Sequence, residues 1–149
     1  MDIRDRMKRL CSRREYCVAD VRRKILSALD GDVRQTEAVI EELVREKYVD
    51  DVRYASAFAR DKAFISGWGK EKIRYMLRSK GVAGDIIDEA VSGLNSDKAD
   101  RRLEKLLEVK YRALKGDSQC RIKMLRFALG RGYHYDEASR IIDELIQSV

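Results

Sequence analysis

None of the 149 residues is proline, and this absence constrains the fold more than any other feature of the sequence. Proline breaks helices in their interior and is common in loops. The chain is instead rich in Arg, Lys, Glu, Leu and Ala, residues with high helix propensity. We therefore expect an all-α fold, in which short turns separate successive helices.

The spacing of the apolar residues supports helices along the whole chain. They recur at steps of three or four residues, which is the period of an amphipathic helix. Glycines fall mostly between these stripes, where helices end or turn. The predicted stripes are Val18, Val21, Ile25 and Leu29; Ala38, Val39, Leu43 and Val44; Tyr54, Phe58 and Ile65; Ile73, Met76 and Leu77; Ile86, Ile87, Ala90, Val91 and Leu94; Leu103, Leu106, Leu107 and Tyr111; and Ala138, Ile141, Ile142 and Leu145.

The stripes recur with a period of about fifty residues, as they do in helical arrays. When Gly81 is aligned with Gly132, the apolar positions before and after each glycine also coincide. The coinciding positions are Ile73 with Met124, Leu77 with Ala128, Val91 with Ile142 and Leu94 with Leu145, and Val21 and Ile25 coincide with Ile73 and Leu77 in turn. We predict three tandem three-helix repeats, at residues 1–49, 50–95 and 96–149. Because each repeat has a thin core, we expect an elongated, curved array.

The charge of the chain suggests an anionic partner. Lys and Arg number 32 against 26 Asp and Glu, which gives a net charge of +6. An ordinary basic soluble protein is the alternative interpretation. No apolar run is long enough to span a bilayer, and no apolar signal core follows Met1–Arg6, so we expect a cytoplasmic protein. Cys11, Cys17 and Cys120 are then expected to be free thiols.

The sequence shows no catalytic constellation, and we expect no enzyme activity, metal or cofactor. His134 is the single histidine, and the cysteines lack the spacing of zinc ligands. A nucleophile pair of Cys120 and His134 would need an orienting third group, which the sequence does not reveal. The element Gly67-Trp68-Gly69-Lys70 lacks the spacing of a phosphate loop and follows no strand. We interpret it as a tight turn with Trp68 at least half buried.

Several segments resemble the RecX family in order and spacing over residues 10–146. Tyr48-Val49-Asp50-Asp51-Val52-Arg53-Tyr54-Ala55 is similar to the family's leucine-aspartate-aspartate-x-arginine-aromatic-alanine signature. The other matching segments are Arg14-Glu15, Val21-Arg22-Arg23-Lys24-Ile25, Gly67-Trp68-Gly69, Ile73-Arg74, Leu77, Lys80-Gly81-Val82 and Arg131-Gly132-Tyr133. In physical terms Asp50 is a good helix N-cap, Asp51 suits the first turn, and Arg53 is placed to pair with Asp50.

Two positions depart from the family pattern. Cys17 stands where serine often caps the first middle helix, and a thiol caps less well, at a cost of about 1 kcal/mol. Lys70 stands where the family often has proline in the first turn of a helix, and its charge is at the unfavourable end of the helix dipole. Neither departure alters the expected fold.

The resemblance implies a regulator that binds in the helical groove of RecA recombinase filaments on single-stranded DNA. Such a protein modulates filament growth, ATP hydrolysis and strand exchange in DNA repair, homologous recombination and the SOS response, and we expect it to be a monomer. The alternative is a helical protein that binds single- or double-stranded DNA directly and weakly. Against this alternative, the sequence shows no single recognition helix with a compact set of base-reading side chains.

Basic residues distributed over all three repeats are the candidate contacts to the filament or to DNA. Simple solvation is the alternative for any one of them, and the distribution favours a shared role. Arg22, Arg74 and Arg78 are preferred because they point away from the apolar stripes. The full set is Arg13, Arg14, Arg22, Arg23, Lys24, Lys70, Lys72, Arg74, Arg78, Lys80, Lys123, Arg126 and Arg131.

Overall fold

The computed structural model of the protein describes residues 2–148. Within this range the chain forms helices and turns and has no strand, which confirms the all-α prediction. The helices are α1 (Ile3–Arg13), α2 (Val18–Ala28), α3 (Val33–Arg45), α4 (Asp51–Phe64), α5 (Lys70–Ser79), α6 (Gly84–Ser92), α7 (Ser96–Leu114), α8 (Cys120–Gly130) and α9 (Tyr135–Gln147). The predicted repeat boundaries fall in the connections before α4 and α7, and the division into three repeats stays a prediction.

The helices group into two compact units. The first unit comprises α1, α2 and α3, α4 as far as Phe58, the end of α5 from Leu77, and α6 as far as Ala90. The second unit comprises α4 from Ala59, α5 as far as Met76, the end of α6 from Val91, and α7, α8 and α9. Helices α4, α5 and α6 thus contribute residues to both units.

The core of the first unit lies among α1, α2 and α3. Val21 and Ile25, the predicted inner positions of α2, are both fully buried there. Full burial of one such aliphatic side chain stabilises the fold by about 1.5–3 kcal/mol. The buried cluster comprises Met7, Cys11, Tyr16, Val21, Ile25, Val39, Ile40, Leu43 and Val49.

The N-terminus of α2 obtains its cap from another helix. Cys17 occupies the N-cap position and its thiol makes no capping hydrogen bond, as its chemistry predicted. Instead, the Val18 amide donates to Oδ1 of Asp51 at 2.8 Å. The buried Cys17 thiol faces the carbonyl of Lys80, with 3.7 Å between Sγ and O. Asp51, predicted to act only within its own helix, therefore offsets the weak cap of α2.

The N-terminus of α4 confirms one prediction and corrects another. Oδ1 of Asp50 accepts hydrogen bonds from the amides of Val52 and Arg53, at 2.9 and 3.2 Å, so Asp50 is the N-cap. The predicted pairing of Arg53 with Asp50 is wrong. The Nε of Arg53 donates instead to the carboxylate of Glu15, at 2.7 and 2.8 Å from its oxygens. The Arg53 guanidinium also donates to the carbonyl of Lys47, so this side chain ties α4 to the segment before it.

The core of the second unit lies among α7, α8 and α9. Met124 and Ala128, aligned in the sequence with Ile73 and Leu77, are fully buried, which confirms the inner face of α8. The buried cluster comprises Leu103, Leu107, Met124, Leu125, Ala128, Tyr133, Ala138, Ile141 and Ile142.

Two of the predicted apolar stripes are partly wrong. In α3 the buried residues are Thr36, Val39, Ile40 and Leu43, whereas the predicted Val44 is 46% exposed. The buried positions of α4 are alanines, at Ala55, Ala59 and Ala63, and Ile65 lies beyond the end of the helix with 73% of its surface exposed. Small side chains at a spacing of four allow neighbours to approach closely, so here the buried face differs from the most apolar one.

Two glycine turns meet backbone to backbone within the second unit. The Gly69 amide donates to the carbonyl of Arg131 at 2.7 Å, and the Glu71 amide donates to the carbonyl of Gly132 at 3.1 Å. These bonds satisfy amides at the N-terminus of α5. A Cβ on Gly69 would lie 2.3 Å from the backbone of Gly132 and Tyr133, so no larger residue fits there without movement. Trp68, in the same turn, is more than half buried, as predicted.

Candidate partner-binding surfaces

None of the predicted basic residues is buried, so all are at least partly accessible. They divide between the two units, and a single basic face along the whole chain stays a prediction. The first unit contains Arg13, Arg14, Arg22, Arg23, Lys24, Arg78 and Lys80, and the second contains Lys70, Lys72, Arg74, Lys123, Arg126 and Arg131.

A groove between α1 and α2, here called the α1–α2 groove, is a basic concave surface of the first unit. Its volume is about 680 Å³, and it is lined by Arg6, Met7, Leu10, Arg23, Lys24, Ser27 and Ala28. Three of these side chains are cationic and none is acidic. Sequence reasoning identified Arg23 and Lys24 but missed Arg6. The sequence could have indicated Arg6, because it directly precedes Met7, which is buried in α1.

Tyr16 orders two cations, Arg14 and the groove residue Lys24. The guanidinium carbon of Arg14 lies 4.2 Å from the centre of the Tyr16 ring, and Nζ of Lys24 lies 5.8 Å from it. A cation over an aromatic face loses mobility without losing its charge. The ring therefore holds positive charge in place at the C-terminal end of α1.

Other predicted cations of the first unit are engaged in ion pairs. Nε of Arg22 lies 2.7 Å from Glu37, and this hydrogen bond lowers the pKa of Glu37 and raises that of Arg22. Asp20 pairs with both Arg23 and Lys80. Burial alone would raise the pKa of Asp20, but a hydrogen bond from Cys17 and the charges of Lys80 and Arg23 together hold it below its usual value. These pairs weaken the local positive potential, most clearly at Arg22.

In the second unit, Trp68 positions one cation near the end of α4 and one at the start of α5. Nζ of Lys62 lies 4.7 Å from the centre of its ring and Nζ of Lys72 lies 4.4 Å from it. Nearby, Arg74 pairs with Glu71 at 3.2 Å, and Nε2 of His134 lies 3.4 Å from the same carboxylate.

A cavity of about 280 Å³ beside Trp68 carries charges of both signs. Lys70, Arg74 and His134 line it together with Asp100 and Glu137. Mixed charge of this kind gives the cavity no clear preference for an anion.

A groove between α7 and α8, here called the α7–α8 groove, is a basic concave surface of the second unit. It consists of two adjoining cavities of about 340 and 360 Å³, both lined by Lys110 and Phe127. Nζ of Lys110 and the guanidinium carbon of Arg131 lie 5.1 and 5.0 Å from the centre of the Phe127 ring. The cationic lining residues are Arg102, Lys105, Lys110, Lys123, Arg126 and Arg131.

Sequence reasoning found the α8 side of this groove and missed the α7 side. Arg102, Lys105 and Lys110 follow the helical period along α7, which was the available signal. Three of the cations also have structural contacts: Arg131 donates to the carbonyl of Ser66 at 2.7 Å, Arg102 donates to that of Ile65 at 3.1 Å, and Lys123 pairs with Asp117 at 2.6 Å. Their positive charge is therefore partly compensated by groups of the protein itself.

The described residues form no metal site, and Cys120 and His134 each face a different partner. No group of three or more His, Cys, Asp or Glu side chains in residues 2–148 is placed to hold a metal ion. Sγ of Cys120 lies against Sδ of Met124 at 3.6 Å, while the imidazole of His134 faces Glu71. The absence of enzyme activity, expected from the sequence, stays a prediction.

Across residues 2–148, every helix is too short or too polar to cross a membrane.

Comparison with known proteins shows which family the chain resembles. Residues 50–91 match the family model described as RecX, second three-helix domain, a range that covers α4, α5 and nearly all of α6. The chain is also similar to a crystal structure of RecX from Lactobacillus salivarius, with a TM-score of 0.86 and 22% identity, over 97% of this chain and 95% of that one. At this identity the likeness establishes the fold.

Named relatives extend the similarity along the chain. Regulatory protein RecX of Clostridium tetani is 28% identical over 121 residues, which are 78% of this chain and 55% of that protein. The chain thus spans about half the length of the clostridial relatives that it matches. Regulatory protein RecX of Vibrio parahaemolyticus is 32% identical over 133 residues, which are 87% of this chain and 83% of that protein. Since a relative of nearly its own length is this similar, the chain belongs to the RecX family of regulatory proteins.

Proposed function

We propose that this protein binds RecA recombinase filaments on single-stranded DNA and modulates their assembly, ATP hydrolysis and strand exchange without a catalytic group of its own. Family membership supports this role, and the observation that carries it is the α1–α2 groove, which has three cationic lining residues and no carboxylate. A filament of protein and DNA presents repeated negative charge. A basic concave surface gains electrostatic energy by facing such a partner.

The proposed mechanism is differential binding. A regulator shifts an assembly only if it binds one of its states more tightly than another. Two basic grooves on one polypeptide also allow contacts to add through effective concentration, even when each contact is weak. Surface ion pairs are individually worth about 0.2–1 kcal/mol, so several must act together.

Direct binding to DNA is the second candidate, because a basic groove suits a phosphate backbone equally well. The two candidates differ in their dependence on RecA. A pull-down of the full chain with RecA alone, with DNA alone, and with RecA, DNA and nucleotide together separates them. We expect retention chiefly in the third mixture. Equal retention on DNA alone would favour the second candidate.

A pair of charge reversals tests the α1–α2 groove itself. Arg6→Glu with Lys24→Glu replaces two groove cations, and Arg9→Glu with Arg34→Glu is a control of the same charge at exposed positions outside the lining. Replacing attraction by repulsion at two contacts should weaken filament binding by about ten-fold or more and reduce its salt dependence. An equal loss in the control pair would show that net charge, rather than the groove, determines binding.

A further inference from the structure

The floor of the α7–α8 groove is apolar. Leu106, Val109, Ala113 and Leu114 of α7 line it together with Phe127 of α8. Val109 is 63% exposed, and most of the groove surface around it is apolar. Apolar surface that stays accessible in a concave site is typical of an interaction surface.

The rims of the same groove are cationic on both sides. Arg102, Lys105 and Lys110 project from α7, Lys123 and Arg126 from α8, and Arg131 from the C-cap of α8. Within residues 2–148 no carboxylate is among the lining side chains. Lys123 is paired with Asp117 at the turn between the helices. Lys105 and Arg126 are exposed and have no ion pair or ring contact among the described residues.

We infer that the α7–α8 groove binds an acidic amphipathic helix of a protein partner. The apolar stripe of such a helix would cover the floor, and carboxylates on either side of the stripe would face the two cationic rims. The lining of α7 runs from Arg102 to Ala113, about 17 Å at the rise of an α-helix, which suits an occupant of about three turns. Only residues of the second unit are needed, so this binding does not require the recombinase role proposed above.

The groove suits a helix better than it suits single-stranded nucleic acid. Proteins that bind single strands stack bases on aromatic rings along a basic groove. Here Phe127 already carries Lys110 and Arg131 over its ring, so a base would have to displace both cations. The apolar side chains of the floor also offer no hydrogen-bond donor to a phosphate or to a base edge.

The test uses the full chain and a fluorescent synthetic peptide of about 15 residues, long enough for four helical turns. The peptide has leucine along one helical stripe and glutamate and alanine elsewhere, and a scrambled peptide of the same composition is the comparison. In fluorescence anisotropy titrations the amphipathic peptide should bind at least about ten-fold more tightly than the scrambled one, a difference of about 1.4 kcal/mol. Equal binding of the two peptides would overturn the inference.

Variants then locate the binding site. Lys105→Glu with Arg126→Glu should weaken peptide binding by about ten-fold or more, and Arg101→Glu with Arg112→Glu is the control of equal charge on exposed positions of α7 outside the lining. Val109→Ser keeps the charge and removes apolar floor, and it should weaken binding several-fold. Because Val109 is exposed, this second variant remains informative if the double reversal unfolds the protein.

Two further outcomes would overturn the inference. In the first, the control Arg101→Glu with Arg112→Glu loses as much affinity as Lys105→Glu with Arg126→Glu. In the second, Val109→Ser and the double reversal in the groove both bind the peptide as tightly as the wild type. An oligonucleotide of about twenty deoxythymidines serves as the competing probe. If its binding depends on Lys105 and Arg126 while that of the peptide does not, the groove is a nucleic-acid site.

Discussion

Alanine at Gly69 would test whether the contact between the two glycine turns holds the second unit together. The Cβ of Gly69→Ala would lie 2.3 Å from the carbonyl carbon and oxygen of Gly132 and from the amide nitrogen of Tyr133. These are backbone atoms and cannot rotate away as a side chain would. Since carbon atoms pack at about 3.5–4.0 Å, the two turns must separate by more than about 1 Å.

The separation breaks two hydrogen bonds, and these set the expected magnitude. The bonds from Gly69 to Arg131 and from Glu71 to Gly132, at 2.7 and 3.1 Å, would stretch beyond hydrogen-bonding distance. Each buried group left unpaired costs about 1–3 kcal/mol. Alanine also lowers the conformational entropy of the unfolded chain, which stabilises the folded state by about 0.4–1 kcal/mol and offsets part of this cost. We therefore expect Gly69→Ala to lower the free energy of unfolding by about 3 kcal/mol.

Thermal melting followed by circular dichroism measures this effect. A loss of about 3 kcal/mol in a chain of this length lowers the melting temperature by roughly 6–12 °C. Gly130→Ala is the matched control, because a Cβ on Gly130 meets nothing within 4 Å at the end of α8. This control should be neutral or stabilised by up to about 1 kcal/mol. The reasoning is refuted if both variants melt alike, or if the Glu71 amide of Gly69→Ala keeps its protection from hydrogen exchange.

Four further predictions concern single features of the molecule. Trp68→Ala should destabilise the protein by about 3 kcal/mol because Trp68 is more than half buried, and an unchanged melting temperature would identify it as a contact residue instead. Asp51→Ala should cost about 1–2 kcal/mol by removing the acceptor of the Val18 amide, whereas Asp51→Asn should retain most of the stability. Hydrogen bonds from arginine lower the pKa of Glu37 and Asp143 in the folded chain, so these ion pairs contribute fully to stability near neutral pH and lose that contribution as pH falls through the lowered pKa values. Denaturant titrations from about pH 6 to about pH 2 should show this loss of stability, and added salt should make the loss smaller. Small-angle scattering should give a radius of gyration clearly above the roughly 15 Å of a compact sphere of this length, and agreement with that value would contradict the elongated array.

The buried faces of the middle helices could be predicted because each depends on one local pattern. Val21, Ile25, Ile73, Leu77 and Met124 are large, apolar and correctly spaced, and all are fully buried. Their energies come from burial itself, so the period in the sequence specifies which face turns inward. The N-cap of α4 was predictable for the same reason, since an aspartate before a helical stripe bonds to amides two and three residues along the chain.

The errors arose where a residue's role depends on a partner distant in the sequence. Alanine gains little from burial by itself, so Ala55, Ala59 and Ala63 could be recognised as the inner face of α4 only from the neighbours that approach them. The cap that Asp51 gives to α2 joins positions 33 residues apart, beyond any local motif. Arg102, Lys105 and Lys110 were missed because their sequence spacing matches that of solvated lysines and arginines on any exposed helix. A cation becomes a candidate for binding when a second helix turns the surface beside it into a concave one, and for these three residues that helix is α8.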